Sequence, residues 1–248
     1  MIYIKIMSIS IVIPVFNEEA QIKFTLNKLI SFKKKIRDME IIIVDDFSTD
    51  NSKRIIKKYI GRYKYIKLVT NNKKGLGSAI YNGIIKSKKK FLCIFMADMS
   101  DDLNDLKKYY SEISKKNLDA VFGSRFINSS KVKNYPFIKY ILNRLFNIFI
   151  KIILMSDYND FTNAFKIYKK STLLKILPIV SDNFNVFLEL PLKIIIRNYN
   201  YKVIPINWKN RKKGKSKFKI NELGSMYLFT MFYCLLEKIL LNKKRGVN

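Results

Sequence analysis

No histidine occurs anywhere in the chain. That excludes imidazole acid–base catalysis and imidazole metal ligation, so any metal here must be held by oxygen donors. Cysteine is nearly absent too. Cys93 and Cys234 stand alone, without metal-ligand spacing, and read as buried thiols in a reducing compartment. Glycine and proline number only 8 and 5, and neither a low-complexity linker nor an internal repeat is visible. Acidic residues are scarce: 19 against 48 Lys and Arg, a formal charge of +29. Any single lysine reads as part of a solvated face, but the total favours an anionic partner such as a nucleotide diphosphate, an anionic lipid or nucleic acid.

Against that background the few acids cluster. One apolar run ends in Asp45-Asp46; a second, about fifty residues on, ends in Asp98 followed by Asp101 and Asp102. Carboxylates at the C-terminal ends of parallel strands lie where open α/β sheets bind ligands. Two adjacent acids such as Asp45 and Asp46 repel each other and call for a nearby cation or donor groups.

The 248 residues suffice for one large α/β domain, with or without an appendage. The apolar opening, residues 1–15, lacks a small-residue cleavage site and runs straight into Pro14-Val15-Phe16-Asn17-Glu18-Glu19, so residues 8–15 are expected to be the first buried strand, with Met7 a candidate start. Strands are expected near 8–15, 40–44, 65–70, 91–96 and 119–122. Helices between them are expected near 18–35, from a cap at Thr49-Asp50-Asn51-Ser52, from the turn Gly75-Leu76-Gly77-Ser78-Ala79 to about 87, and near 104–116, the pattern of a mostly parallel sheet flanked by helices.

The second half reads differently. In the apolar stretch 136–156, Lys139, Asn143, Arg144, Asn147 and Lys151 fall within an arc of about 140°, which describes an amphipathic helix with a cationic polar face. Residues 201–208 read as a strand. From Lys202 to Lys219 there are eight cations and no acid. A last helix, near 221–242, has an uncharged core of 14 residues, Leu223 to Leu236, short of the ~20 that cross a bilayer. It is expected to lie on a membrane or on the domain.

Seven segments in order carry a resemblance: Ile13-Pro14-Val15-Phe16-Asn17-Glu18-Glu19; Asp45-Asp46-Phe47-Ser48-Thr49-Asp50; Gly75-Leu76-Gly77-Ser78-Ala79; Met96-Ala97-Asp98-Met99-Ser100-Asp101-Asp102; Gly123-Ser124-Arg125; Asp160-Phe161-Thr162-Asn163-Ala164-Phe165; and Arg211-Lys212-Lys213-Gly214-Lys215-Ser216-Lys217. Together they resemble the inverting family 2 glycosyltransferases of the GT-A fold, above all the dolichol- and polyprenyl-phosphate sugar transferases. The likeness spans about residues 8 to 217. It implies a GT-A domain over 1–218, with a nucleotide-sugar half (8–123) and an acceptor half (124–218), and a C-terminal amphipathic helix with a basic tail over 219–248.

By that resemblance Pro14, Asn17, Glu18, Asp45, Asp46 and Gly75 face the nucleotide. Asp98 and Asp102 are the catalytic carboxylates, with Asp98 and Asp101 toward Mg2+ or Mn2+. Arg125, Arg144, Arg211 and Lys217 hold an acceptor phosphate, a role that suits the planar guanidinium fork. Met96 departs from the pattern: it stands where the family's Asp-x-Asp element has its first acid. The implied reaction moves a sugar from a UDP- or GDP-sugar to a polyprenyl phosphate at the cytoplasmic face of an anionic membrane, with a membrane partner or second copy left open. One alternative is transfer to a sugar hydroxyl, which requires a carboxylate base from Asp102, Asp160 or Glu189. Another is a non-catalytic protein of the same fold. Nucleic acid is disfavoured, because the cations are spread along the chain and no recognised module appears.

Overall fold

The computed structural model describes residues 8–34, 36, 38–115, 117–211 and 220–245, the side chains of 220–223 and 242–245 excepted. Lys217, assigned above to an acceptor phosphate, lies outside the described residues. The first half alternates strand and helix: β1 (Ser8–Val15), α1 (Glu19–Lys33), β2 (Asp38–Asp45), α2 (Ser52–Ile60), β3 (Ile66–Thr70), α3 (Leu76–Lys86), β4 (Phe91–Ile94), α4 (Leu103–Lys115) and β5 (Ala120–Ser124). The second half adds β6 (Val132–Lys133), α5 (Phe137–Leu154), β7 (Lys166–Lys169), α6 (Lys170–Lys175), α7 (Val186–Ile196), β8 (Tyr201–Pro205), β9 (Trp208–Lys209) and α8 (Ile220–Arg245).

Seven strands form one sheet in the order β3-β2-β1-β4-β7-β5-β8, while β6 and β9 pair separately. The mostly parallel sheet flanked by helices is the one expected from the sequence. Both of its faces are covered, so β1 and β2 read as continuous apolar runs rather than alternating ones. Val12, Ile42 and Val44 pack on one side with α3, α5, α7 and α8. Ile9, Ile11, Ile13, Ile41 and Ile43 pack on the other with α1, α2 and α4. Because β1, β2, β3 and β4 are parallel and in register (Val15 opposite Asp45, Asp45 opposite Thr70, Val12 opposite Ile94), the loops that follow them emerge at one edge.

The short strand β7 was not foreseen. It runs antiparallel between β4 and β5, and its sequence Lys-Ile-Tyr-Lys gives no apolar run to betray it. Lys166 is nonetheless buried, its ammonium donating to the carbonyls of Phe161, Asn163 and Phe187.

Helix α5 is amphipathic, with four residues of its polar arc turned inward and the fifth, Lys151, exposed. Asn147 is fully buried, donating to Asn143 and accepting from the Phe161 amide, while Lys139, Asn143 and Arg144 are half-buried. The apolar face is the exposed one, from Phe137 and Ile138 through Leu145, Phe149 and Ile152 to Met155. Helix α8 repeats this plan. Tyr227, Thr230, Met231 and Cys234 form its buried side, Glu237 pairs with Arg197 at 2.5 Å, and Phe229, Phe232, Leu236, Ile239 and Leu240 are exposed. Phe146 and Tyr227 meet edge to face at 5.5 Å, joining the two helices. By length and composition Gly224–Leu241 is apolar enough to cross a membrane. That window exceeds the 14-residue core read from the sequence because it admits Glu237 and Lys238.

Candidate active site

The loops after β1 and β2 are stitched to each other. Asn17 (φ 51°) accepts from the Thr49 and Asp50 amides and donates to Thr49 Oγ1. The Glu18 amide donates to Ser52 Oγ, so Ser52 serves the neighbouring loop. Pro14 is buried within β1, opposite Val44.

The two adjacent acids diverge in role. Asp46 accepts from Asn71 Nδ2 at 2.7 Å and from the Gly75 amide at 2.9 Å, which fixes the loop between β3 and α3. Asn71 is the hub of that loop, accepting in turn from Ser78 and Asn82. Sequence reasoning passed over it, and its place just after an apolar strand was the only signal. Asp45 is also buried, and its Oδ1 has no hydrogen-bond partner. A buried carboxylate oxygen without a donor calls for a ligand.

Gly75 has φ +139°, and a Cβ there would stand 2.8 Å from the Asp182 carbonyl oxygen. The Gly77 amide donates to that oxygen at 2.9 Å, and a Cβ at Gly77 would overlap the Ser181 carbonyl. The two glycines therefore let the backbone of 181–182 close on the start of α3.

After β4, Asp98 Oδ1 accepts from the Ser100 amide at 3.0 Å, and Oδ2 accepts from Arg211 Nη2 at 2.9 Å. Arg211 also pairs with Glu18 at 3.6 Å. Asp101 is buried, and its Oδ1 has no partner. Burial, and next the charge of Asp98, push its carboxyl up to about 8. Asp102 accepts from the Asn104 amide at 2.9 Å and so caps α4. Among the described residues no cluster of three or more metal-ligating side chains occurs. Two carboxylates, one with an orphaned oxygen, suit a hard cation that completes its shell from phosphate oxygens and water.

These carboxylates open into a cavity of about 710 Å³. Its polar wall carries Asp98, Asp101, Arg125, Lys139, Trp208 and Arg211. Its apolar wall is built from Leu142 and Phe146 of α5, Phe187 of α7, and Tyr227 and Leu228 of α8, while Met96 gives an apolar surface where a carboxylate was expected.

Arg125 is buried and held by Asp160 in a fork, Nε to Oδ2 at 2.9 Å and Nη2 to Oδ1 at 2.7 Å. Phe126, Tyr135 and Trp208 surround the guanidinium with ring centroids at 5.3 to 5.7 Å. Burial opposes its charge, and Asp160 more than offsets this, so Arg125 stays protonated. Arg144 stacks on Phe126 at 4.3 Å and donates to the Asn159 carbonyl. On α5 the cavity is lined instead by Lys139 and Asn143. Lys139 belonged to the polar arc visible in the sequence, and Trp208 is the only tryptophan; neither was singled out there.

The remaining acids are engaged. Glu189 is buried, pairs with Lys193 at 2.7 Å, and accepts from the Val180 and Ser181 amides. Asp160 accepts three bonds from Arg125.

The model of glycosyl transferase family 2 matches residues 10–177. The dolichyl-phosphate beta-glucosyltransferase of Dictyostelium discoideum is 29% identical over 186 residues, covering 68% of this chain and 56% of that protein. Its counterpart from Saccharomyces cerevisiae is 28% identical over 223 residues, covering 81% and 66%. The dolichol-phosphate mannosyltransferase of Pyrococcus furiosus is 25% identical over 219 residues, covering 86% and 60%. The chain thus spans between 56% and 66% of the length of these curated relatives. Among solved structures, glucosyl-3-phosphoglycerate synthase from Mycobacterium tuberculosis, in complex with phosphoglyceric acid, superposes with a TM-score of 0.69 at 16% identity over 92% of this chain and 79% of its own. The same enzyme with Mn2+, uridine-diphosphate-glucose and phosphoglyceric acid gives a TM-score of 0.68 at 16% identity over 92% and 79%. This likeness establishes a GT-A-like fold.

Proposed function

Since the chain belongs to glycosyl transferase family 2, we propose that it transfers a sugar from a UDP- or GDP-sugar to a polyprenyl phosphate at a membrane surface, with inversion. One observation carries the reading. A single cavity joins Asp98 and Asp101 to Arg125, Lys139 and Arg211, and it is lined as well by apolar side chains of α5 and α8, the two helices whose outer faces are apolar and exposed. An amphiphilic acceptor needs that combination: cations for a phosphate head and apolar wall for a prenyl chain.

The donor's base and ribose would lie against the loops after β1, β2 and β3, where Asp45 offers its unpartnered oxygen. Asp98 and Asp101 would hold Mg2+ or Mn2+, which supplies neutralisation of the charge on the departing diphosphate. Lys139 and Arg125 would hold the acceptor phosphate, with Lys139 on the cavity wall in place of Arg144. A phosphate oxygen attacks the anomeric carbon. The new C–O bond forms as the bond to the diphosphate breaks, and its electron pair leaves with the nucleotide diphosphate. The acceptor is anionic at neutral pH, so no proton has to be removed. The protein contributes alignment and charge stabilisation.

Transfer to a sugar hydroxyl is less well supported. It needs a carboxylate base, and Asp160 and Glu189 are buried within ion pairs while Asp102 caps a helix. The exposed apolar faces of α5 and α8 support an interfacial location, and the buried free thiols fit a cytoplasmic one. The test is transfer from labelled UDP- and GDP-sugars into organic-extractable lipid by purified protein with undecaprenyl or dolichyl phosphate and Mg2+ or Mn2+. Labelled lipid that disappears with EDTA or with Asp98→Ala supports the reading. Intact nucleotide binding without labelled lipid sinks it.

A further inference from the structure

Asp98 has two carboxylate oxygens, and both are engaged: Oδ1 by the Ser100 amide of its own turn, Oδ2 by the guanidinium of Arg211. That guanidinium lies within 3.6 Å of Glu18 as well, so one positive group bridges the loops that follow β1 and β4. The next acid along, Asp101, keeps an oxygen with no donor. An arriving divalent ion therefore meets one oxygen without a hydrogen-bond partner, on Asp101, and one already paired, on Asp98. A guanidinium and a divalent cation cannot share Asp98 Oδ2 without strong repulsion at short range. The apolar side chain of Met96 supplies no further acid to accommodate both.

From this arrangement we infer that Arg211 is the internal cation of the metal-free protein: it is exchanged for the divalent ion on Asp98 and thereby sets the affinity for that ion. The inference rests on the metal-bearing donor site proposed above. Arg211 is a positioning residue in this step, because it holds Asp98 until the ion takes over. Once displaced from Asp98 it remains on a cavity that also contains Arg125 and Lys139, where its planar fork suits a phosphate oxygen pair. Metal entry would in this way prepare the cavity for its anionic ligands.

The experiment titrates the full chain with Mn2+, without nucleotide, and reads free Mn2+ by electron paramagnetic resonance. Wild type, Arg211→Gln, Arg211→Lys and Asp98→Asn are compared. The expected result is about ten-fold tighter Mn2+ binding by Arg211→Gln, affinity close to wild type for Arg211→Lys, and loss of binding for Asp98→Asn. Equal or weaker binding by Arg211→Gln, with binding still lost in Asp98→Asn, overturns the exchange and leaves the metal site standing. Wild-type affinity in Asp98→Asn overturns the metal site and the exchange with it. A second measurement needs no Arg211 variant. Trp208, the only tryptophan, lies three residues before Arg211 and lines the same cavity. Its emission should change saturably with Mg2+ in wild type and not in Asp98→Asn; emission indifferent to Mg2+ in wild type overturns the release of Arg211.

Discussion

Arg125 and Asp160 grip each other in a two-pronged ion pair at the wall of the cavity, at 2.7 and 2.9 Å, with both side chains buried. Asp160 also accepts from the Arg125 amide at 2.9 Å, so the strand-end turn after β5 and the loop before β7 are fixed by one carboxylate. Neither β5 nor β7 would set the guanidinium in place alone. Its remaining donors face the aromatic ring of Phe126, Tyr135 and Trp208 and the cavity itself.

Asp160→Asn should leave that guanidinium charged and uncompensated. Removing one partner of a buried pair costs roughly 3–5 kcal/mol. Urea denaturation should report a loss of that size; a loss below ~1 kcal/mol would contradict the reading of Asp160 as the counter-charge.

Gly77→Ala is expected to force the start of α3 away from Ser181, because the added methyl meets a backbone carbonyl and not a movable side chain. Overpacking of this kind costs roughly 1–3 kcal/mol or more, and nucleotide binding should weaken with it. Gly61→Ala is the control: nothing lies within 4 Å of its Cβ position, so it should be neutral or stabilise by roughly 0.4–1 kcal/mol. Calorimetric titration with UDP and GDP, beside urea curves, separates the two effects.

The first half of the fold was legible because buried parallel strands announce themselves as uninterrupted Ile and Val, and because the acids at their ends stand out in so basic a chain. The division of labour between Asp45 and Asp46 was not, since it depends on Asn71 and Gly75, some 25 to 29 residues away. Strand β7 was hidden because Lys166 is a lysine satisfied by carbonyls, which no hydropathy pattern reveals. The polar arc of α5 was correctly gathered on one side, yet periodicity cannot say which side meets the protein. The Asn147–Phe161 contact decides that, and it turns the apolar side outward.

That outward face carries its own prediction. Leu145 and Ile152 are 61% and 69% exposed and seven residues apart on α5. Burying such side chains in lipid is worth roughly 1.5–3 kcal/mol each. Replacing both by Gln should therefore reduce binding to anionic phospholipid vesicles at least about ten-fold, with fold stability unchanged within ~0.5 kcal/mol. Vesicle co-flotation unaffected by the pair would count against an interfacial role.

Lys166 gives a pH signature. Burial pulls its ammonium down to about 7 from the ordinary 10.5, against the opposing charge of Asp160. Between those values the unfolded chain holds a proton that the folded chain has released, so stability should climb as pH rises from about 7 toward 10.5. Below 7 both states are protonated and this contribution is flat. Asp101, pushed up to about 8, acts in the opposite sense in both proteins, so denaturant midpoints compared at pH 6.5 and 9.5 should change more favourably with rising pH in wild type than in Lys166→Met; parallel profiles would contradict it.

The choice of acceptor decides whether the chain transfers its sugar to a lipid phosphate. Purified protein with a labelled nucleotide sugar and Mn2+ would be offered a prenyl phosphate or the corresponding prenyl alcohol, with the glycosylated lipid measured for each. Product is expected from the phosphate alone, since only the phosphate is already an anionic nucleophile from which no proton has to be removed. Equal product from the alcohol, or transfer only to a water-soluble sugar, would contradict it.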